Sequence, residues 1–369
     1  DSAPIAQKED PTMLTTVDWI EKARAEFEKN LKRTEAAARY ALQPQTAQVG
    51  QTPKDIVWTK NKAKLYRYHA QGERRHATPL LLVYALINKP YILDLAPGNS
   101  FVEYLVGQGY DVFMLDWGVP GEEDAGLTLD DYVLDYIPRA VKAVLKASGQ
   151  SEFSLLGYCQ GGTLSTLYAA AHPEAPIKNL ILLTTPVDFD NAGLYTEWLN
   201  PKHFNVDRVA EAFPLVPADM LQLGSKLLKP LQNYVGPYMM LWDRLDDADF
   251  VQGWHVMNTW VDDGIPFAGA AYRQWVKDFY QGNKLIKGEV VLGGKQILLE
   301  NIRCSLLVVY ATLDHIVPQC QALPAMDLVG SDDKQALPVK AGHVGVVAGR
   351  SAKRNFFPQL DEWLSARSK

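Results

Sequence analysis

Cysteine is scarce, with three in 369 residues. That number is odd and too small for a disulfide framework, so a reducing, cytoplasmic compartment is expected. Long hydrophobic runs are missing as well. The longest strongly apolar stretch, residues 80–87, is about half of the ~18 residues that a membrane span needs, and no transmembrane segment is expected. Nor is there an excess of positive charge: 37 Lys and Arg against 43 Asp and Glu leave a formal net charge of −6. This argues against a nucleic-acid binder with a broad basic face, but leaves a small anionic substrate open. Residues 1–11 are polar and charged, unlike a signal peptide, although numbering from Asp1 rather than Met leaves room for a trimmed segment. No internal repeat or long linker is present.

What is there reads as globular. A composition of 47% apolar and 22% charged residues can bury a sizeable core, and the length allows one large domain with an insertion or two modest ones. Residues 16–42 have Ile20, Ala23, Phe27 and Leu31 at helical spacing with charges between them, the pattern of an amphipathic helix. Such a helix either packs on the main domain or binds a partner. Residues 56–59 and 64–68 are short aromatic and β-branched runs around Asn61, which suggest a hairpin. From residue 80 onward, expected strands at 80–87 (a continuous apolar run), 111–115, 152–158 and 180–184 alternate with helical patterns through Gly107, over 129–145 with a kink or break at Pro138, and over 160–171. Asn99 is the expected cap of the first of these helices. Alternation of this kind builds a mostly parallel sheet with helices on both faces, so the fold class is α/β.

The alternation stops after Asp188 and resumes near Ile302, with strands expected at 306–310 and 335–339. The segment between holds Trp198, Trp242, Trp254, Trp260 and Trp275, five of the nine tryptophans. Its rings can form the core of a lid, line an acyl pocket or meet a hydrophobic phase. The expected organisation is a helical lead at 1–48, a first core part at 49–189, a lid or cap insertion at 190–300 and a second core part at 301–369.

The chemistry centres on Gly157-Tyr158-Cys159-Gln160-Gly161-Gly162. A strand ends at Tyr158, a helix starts at Gln160 and Cys159 occupies the turn, flanked by glycines two residues to either side. This is the nucleophile elbow G-x-S-x-G of α/β-hydrolases with cysteine in place of serine. Side chains at Gly157 and Gly161 would clash where strand and helix meet, and the helix N-terminus favours a thiolate. Cys304, before a buried strand, and Cys320, in a loop after Pro318, read as inert bystanders.

In such folds the chain order is nucleophile, acid, histidine, with the last two on loops after late strands. Asp314 lies just beyond the strand at 306–310, and His343, between Gly342 and Val344-Gly345, follows the strand at 335–339. His315 competes as base, but its adjacency to Asp314 points it elsewhere. Asp188 competes as acid because it too follows a sheet strand. His172 reads as a surface or capping residue, and His69, His76, His203 and His255 lack ligand spacing, so no metal is expected. For an oxyanion hole the backbone N–H of Gln160 is available, together with that of Ile87 or Leu86 after the strand at 80–87. The glycine-rich oxyanion loop of lipases is replaced by Ala85-Leu86-Ile87-Asn88-Lys89-Pro90-Tyr91, which argues against an ordinary lipase.

Six segments in order, Val83-Tyr84-Ala85-Leu86-Ile87-Asn88-Lys89-Pro90-Tyr91, Leu115-Asp116-Trp117-Gly118, Gly157 to Gly162, Thr185-Pro186-Val187-Asp188-Phe189, Asp278-Phe279-Tyr280 and Asp314-His315-Ile316-Val317-Pro318, resemble the catalytic subunit of polyhydroxyalkanoate synthases. The resemblance runs from about residue 49 to 364. It implies an α/β-hydrolase fold and polymerisation of (R)-3-hydroxyacyl-CoA, such as 3-hydroxybutyryl-CoA, with release of coenzyme A. Cys159 would carry the acyl chain, His343 would act as base, and Asp314 would help activate the 3-hydroxyl of the incoming unit. No cofactor is implied, because the coenzyme A thioester is the substrate. The short lead is similar to the two-subunit classes, whose catalytic chain works with a small helical partner, and self-association as a dimer is also implied. Residues 49–54 and 58–62 are similar to the Bacillus-type class. Attachment to polymer granules in the cytoplasm would follow through product or partner. A cysteine hydrolase acting on polyester or acyl thioester, and a non-catalytic granule protein, are the competing expectations.

Overall fold

The computed structural model describes residues 16–42, 47–349 and 351–368. The polar start at residues 1–11 and the side chain of Ile20 lie outside the described part. By internal contacts the chain forms two units, one from residues 1–47 and 231–255, the other from 48–230 and 256–369.

The larger unit is built on an eight-stranded sheet. Its strands are β1 (Lys54–Lys60), β2 (Ala63–Tyr68), β3 (Leu80–Val83), β4 (Val112–Asp116), β5 (Phe153–Tyr158), β6 (Ile177–Leu183), β7 (Ser305–Ala311) and β8 (Lys334–Val339), in the order β1-β2-β4-β3-β5-β6-β7-β8. The expected hairpin around Asn61 is β1 and β2; Asn61 adopts φ 50° and the two strands pair antiparallel. β2 joins β4 antiparallel, and every further pairing from β4 to β8 is parallel. β3 and β5 are buried along their whole length, as apolar runs covered on both faces should be.

Several boundaries differ from expectation. β3 stops at Val83, four residues short of the expected end, although Tyr84, Ala85 and Leu86 remain buried. Beyond Val83 the backbone leaves the ladder for side-chain partners: the Trp117 indole donates to Tyr84 O at 2.9 Å and the Gln160 amide oxygen accepts from Leu86 N at 2.7 Å. An apolar run alone cannot distinguish a strand from such a buried loop. The helix Phe101–Gly107 is capped by Ser100, whose hydroxyl accepts from Glu103 N at 2.9 Å, and not by Asn99. The helix expected over 129–145 begins as a short turn, passes through a π-helical turn at Tyr132–Tyr136 and continues as Ile137–Ser148. Pro138 lies just after the π-helical turn, the local irregularity expected where proline interrupts a helical ladder, and Gly149 at φ 73° ends the helix.

Between β6 and β7 the larger unit carries short helices and two-residue ladders. Trp260 and Trp275 are buried there, and Trp275 packs edge-on to Phe189 and Phe279. The smaller unit contains α1 (Thr16–Leu42), at the expected bounds, and residues 231–255. Within it Arg33 is buried against the Asp243 carboxylate at 3.1 Å, while Phe27 and Leu31 are exposed. Trp242 is exposed as well, and the Trp254 indole donates to Pro237 O at 3.1 Å. No helix among the described residues is long and apolar enough to cross a membrane.

Candidate active site

Three strand ends on one edge of the sheet converge. β5 ends at Tyr158, Cys159 takes φ 56° and ψ −127°, and the helix Gln160–Ala171, here α2, begins at once. A side chain with positive φ is strained, and such strain is retained where the surroundings over-determine it. Here Cys159 N donates to Leu183 O at 2.9 Å and Gly162 N to Cys159 O at 2.9 Å, which lock the turn. A Cβ on Gly157 would strike Gly162 Cα and lie 2.7 Å from Gly161 O; one on Gly161 would strike Val83 O and lie 2.6 Å from Tyr84 C. The glycines therefore let α2 rest on β5 and on the loop after β3.

β7 and β8 deliver the other two groups. Thr312 N donates to Val339 O at 2.8 Å and Leu313 N to Ala341 O at 3.0 Å, which lace together the loops that follow these strands. Asp314 Oδ1 accepts from Ile316 N at 2.8 Å and Val317 N at 2.9 Å, so the carboxylate is fixed by its own turn. Its Oδ2 lies 2.7 Å from His343 Nδ1, and both residues are buried. With Nδ1 donating to the carboxylate, the other ring nitrogen is left for Cys159, whose charge acts on the His343 ring. Burial, the largest single influence on the imidazole, favours its neutral form. The Cys159 and Asp314 charges and the hydrogen bond to Asp314 outweigh it and push the His343 pKa up to about 10. The arrangement thus favours the protonated imidazolium of His343 beside the Cys159 turn.

The competing residues are engaged elsewhere. Asp188 Oδ1 accepts from Asn283 Nδ2 at 2.8 Å and from Asp190 N at 3.0 Å. His172 Nδ1 lies 3.2 Å from Glu174 Oε1 at the end of α2. The His315 imidazole has its pKa lowered, first by burial and then by the Lys229 charge. Burial pushes the Cys304 thiol up to about 11. Cys320 is exposed and lies in the short helix Gln319–Ala322 rather than in a loop, because Pro318 at the cap position starts that helix.

Of the backbone donors expected to hold an oxyanion, Gln160 N opens α2, where first-turn amides have no helical acceptor. Leu86 N is taken by the Gln160 side chain, whereas Ile87 N has no acceptor among the described residues.

Sequence reasoning missed the surroundings of the thiol. Tyr84 and Tyr158 pack with ring centroids 5.2 Å apart, Tyr158 and His343 at 5.5 Å, and Tyr195 and Tyr280 at 5.7 Å. All four phenols are pushed up, chiefly by burial, with the Cys159 charge adding to it. They stay neutral, and all four lie close enough to feel the Cys159 charge. Thr184, at the end of β6, has φ 41° and a buried hydroxyl with no partner among the described residues. A β-branched residue at positive φ is a genuine outlier, and nothing in the residue string marks it. For the tyrosines the one available signal was that Tyr84, Tyr158 and Tyr280 fall within the motif segments.

Residues 78–347 match the family model of the alpha/beta hydrolase fold, and residues 17–105 match the model of the poly-beta-hydroxybutyrate polymerase (PhaC) N-terminus. Among curated proteins, the chain is similar to the poly(3-hydroxyalkanoate) polymerase subunit PhaC of Haloferax mediterranei, with 39% identity over 91% of this chain and 68% of that one. The corresponding subunit of Allochromatium vinosum is 36% identical over 88% of this chain and 92% of its own length. That of Synechocystis is 36% identical over 95% and 92%. Among solved structures, a lipase-like protein from Sulfolobus solfataricus superposes with a TM-score of 0.56 at 15% identity, covering 88% of this chain and 98% of that one. This likeness concerns the α/β-hydrolase fold alone.

Proposed function

The chain belongs to the PhaC family of poly(3-hydroxyalkanoate) polymerases, which are acyltransferases, and we propose that it builds its polyester from (R)-3-hydroxyacyl-CoA through a thioester on Cys159. The observation that carries this reading is the 2.7 Å contact of Asp314 with His343 beside the strained Cys159 turn. His343 takes the thiol proton, and the thiolate attacks the substrate carbonyl. The negative charge that develops on the carbonyl oxygen is met by the N–H groups of Gln160 and Ile87. Coenzyme A leaves as the thiol, protonated from His343.

For chain growth, the 3-hydroxyl of the next unit gives its proton to His343, assisted by Asp314, and its oxygen forms the ester bond to the acyl carbon on Cys159. The carbon–sulfur bond to Cys159 breaks and the sulfur is reprotonated. The lengthened chain, still a coenzyme A thioester, is then taken back by Cys159 with release of coenzyme A. A thiol suits this cycle because both partners of the exchange are thioesters, so the transfer is close to balanced and can repeat. Tyr195 and Tyr280 support the exclusion of water that chain growth requires.

The reading calls for no cofactor. A small helical partner, or a second copy, together with attachment to polymer granules, belongs to the same proposal and is supported by the exposed Trp19, Phe27 and Leu31 of α1. The test supplies purified protein with (R)-3-hydroxybutyryl-CoA, with and without a helical partner subunit. Coenzyme A release accompanied by insoluble polymer supports a polymerase. Soluble hydroxy acid as the sole acyl product would make the site a hydrolase, and release unchanged in Cys159→Ala would remove the thioester.

A further inference from the structure

The loop after β3 is held at several points. Its carbonyls at Tyr84, Ile87 and Lys89 accept from the Trp117 indole at 2.9 Å, from Ile265 N at 3.0 Å and from the Trp260 indole at 2.9 Å. Its amide at Leu86 is held by a side chain that comes from the nucleophile turn: Gln160 Oε1 accepts from Leu86 N at 2.7 Å. Gln160 is buried, with 6% of its surface exposed, so this bond is shielded from water and strong relative to its exposed counterparts. The residue whose own N–H forms one arm of the oxyanion hole thus also grips the loop that forms the other.

We infer that the Gln160 side chain is a positioning residue that sets the width of the oxyanion hole by holding Leu86 N–H, so that Ile87 N–H stands ready for the developing charge. Oxyanion stabilisation depends on donors pre-set about 2.7–3.1 Å from the charge. A loop free to drift by an ångström would weaken it steeply. The polar residue is required at this position because a buried Leu86 N–H without an acceptor is destabilising, and the loop would rearrange to satisfy it.

This inference rests on the polymerase reading, and the experiment separates the two. Substituting residue 160 leaves its backbone N–H in place, so any loss belongs to the side chain. Gln160→Met matches the volume but removes the acceptor; Gln160→Glu is isosteric and keeps an acceptor in either form, but when ionised sets a negative charge beside the hole that opposes the oxyanion and that protonation removes. With wild type releasing coenzyme A and forming polymer as the control, Gln160→Met is expected to lower kcat by about tenfold or more, with KM within about twofold. Its thermal midpoint should fall by a few degrees at most, while its rate of Cys159 alkylation by iodoacetamide should stay at the wild-type value, since alkylation needs the thiolate but generates no oxyanion. The activity of Gln160→Glu relative to wild type should rise as pH falls. An unchanged kcat in Gln160→Met, or equal losses of turnover and alkylation, would overturn the inference. So would a raised kcat, which would make the Gln160–Leu86 bond a block on the hole. A wild type that produces no polymer would defeat the polymerase reading instead.

Discussion

The Tyr158 phenol donates a hydrogen bond to the His343 backbone carbonyl at 3.0 Å. The residue before the proposed nucleophile therefore holds the residue proposed as its base, across 185 positions of sequence. Tyr158→Phe removes the donor and leaves the carbonyl buried and unpaired. The expected outcome is a loss of about 1–3 kcal/mol in urea unfolding. Coenzyme A release should fall as well, because the loop bearing the imidazole loses its anchor.

Asp314→Asn should preserve the fold while disturbing the tautomer and charge of His343. In Ser-His-Asp enzymes the equivalent change lowers kcat by about 10⁴. For the thiol, which is more acidic than a serine hydroxyl, a loss of about 10²–10⁴ in coenzyme A release is expected, with little change in KM. Steady-state kinetics beside a circular-dichroism control measures it.

The raised His343 pKa gives a pH signature. Since the folded value, about 10, exceeds the ordinary 6.5, protonation of this ring stabilises the fold. That contribution is complete below about pH 6.5 and is lost as pH rises through 10. The stability difference between wild type and His343→Gln should therefore shrink over this window. Nitrogen-15 spectra should show a His343 imidazolium at pH 8 that disappears in Cys159→Ala, where the largest of the raising influences is gone.

Gly161→Ala should disrupt the site without touching a reactive group. Its new methyl would strike the Val83 carbonyl and Tyr84 backbone, neither of which can rotate away. A loss of about 3 kcal/mol or more, at the top of the range for overpacking, is expected in thermal or urea unfolding.

Iodoacetamide should distinguish the three thiols. Cys304, held up to about 11 by burial, should remain unmodified at pH 7.5. Cys320 is exposed and should react at an ordinary rate. Loss of activity should track the modification of Cys159, as read by peptide mass spectrometry.

Much of the fold was legible in the string of residues. The buried strand β7 declares itself by the apolar run Leu306 to Val309, and α2 begins where the elbow pattern puts it. The errors lie where local pattern underdetermines geometry. The run from Leu80 to Ile87 is equally apolar throughout, yet only its first half finds strand partners, because the later residues bond instead to Trp117 and Gln160. The cap of the helix Phe101–Gly107 moved by one residue, since Asn99 and Ser100 are both good caps and only Ser100 reaches Glu103 N.

The sequence by itself determined the alternating α/β order, the Cys159 turn between its glycines, and the chain order of Cys159, Asp314 and His343. These are properties of neighbours and of spacing, which periodicity and steric rules express directly. Only the tertiary structure decided which carboxylate reaches His343, which amide of the loop after β3 is spent on Gln160, and which tyrosines come within reach of the Cys159 charge. Those outcomes depend on hydrogen bonds between residues as far as 185 positions apart, and distance in space is not written in the order of the chain.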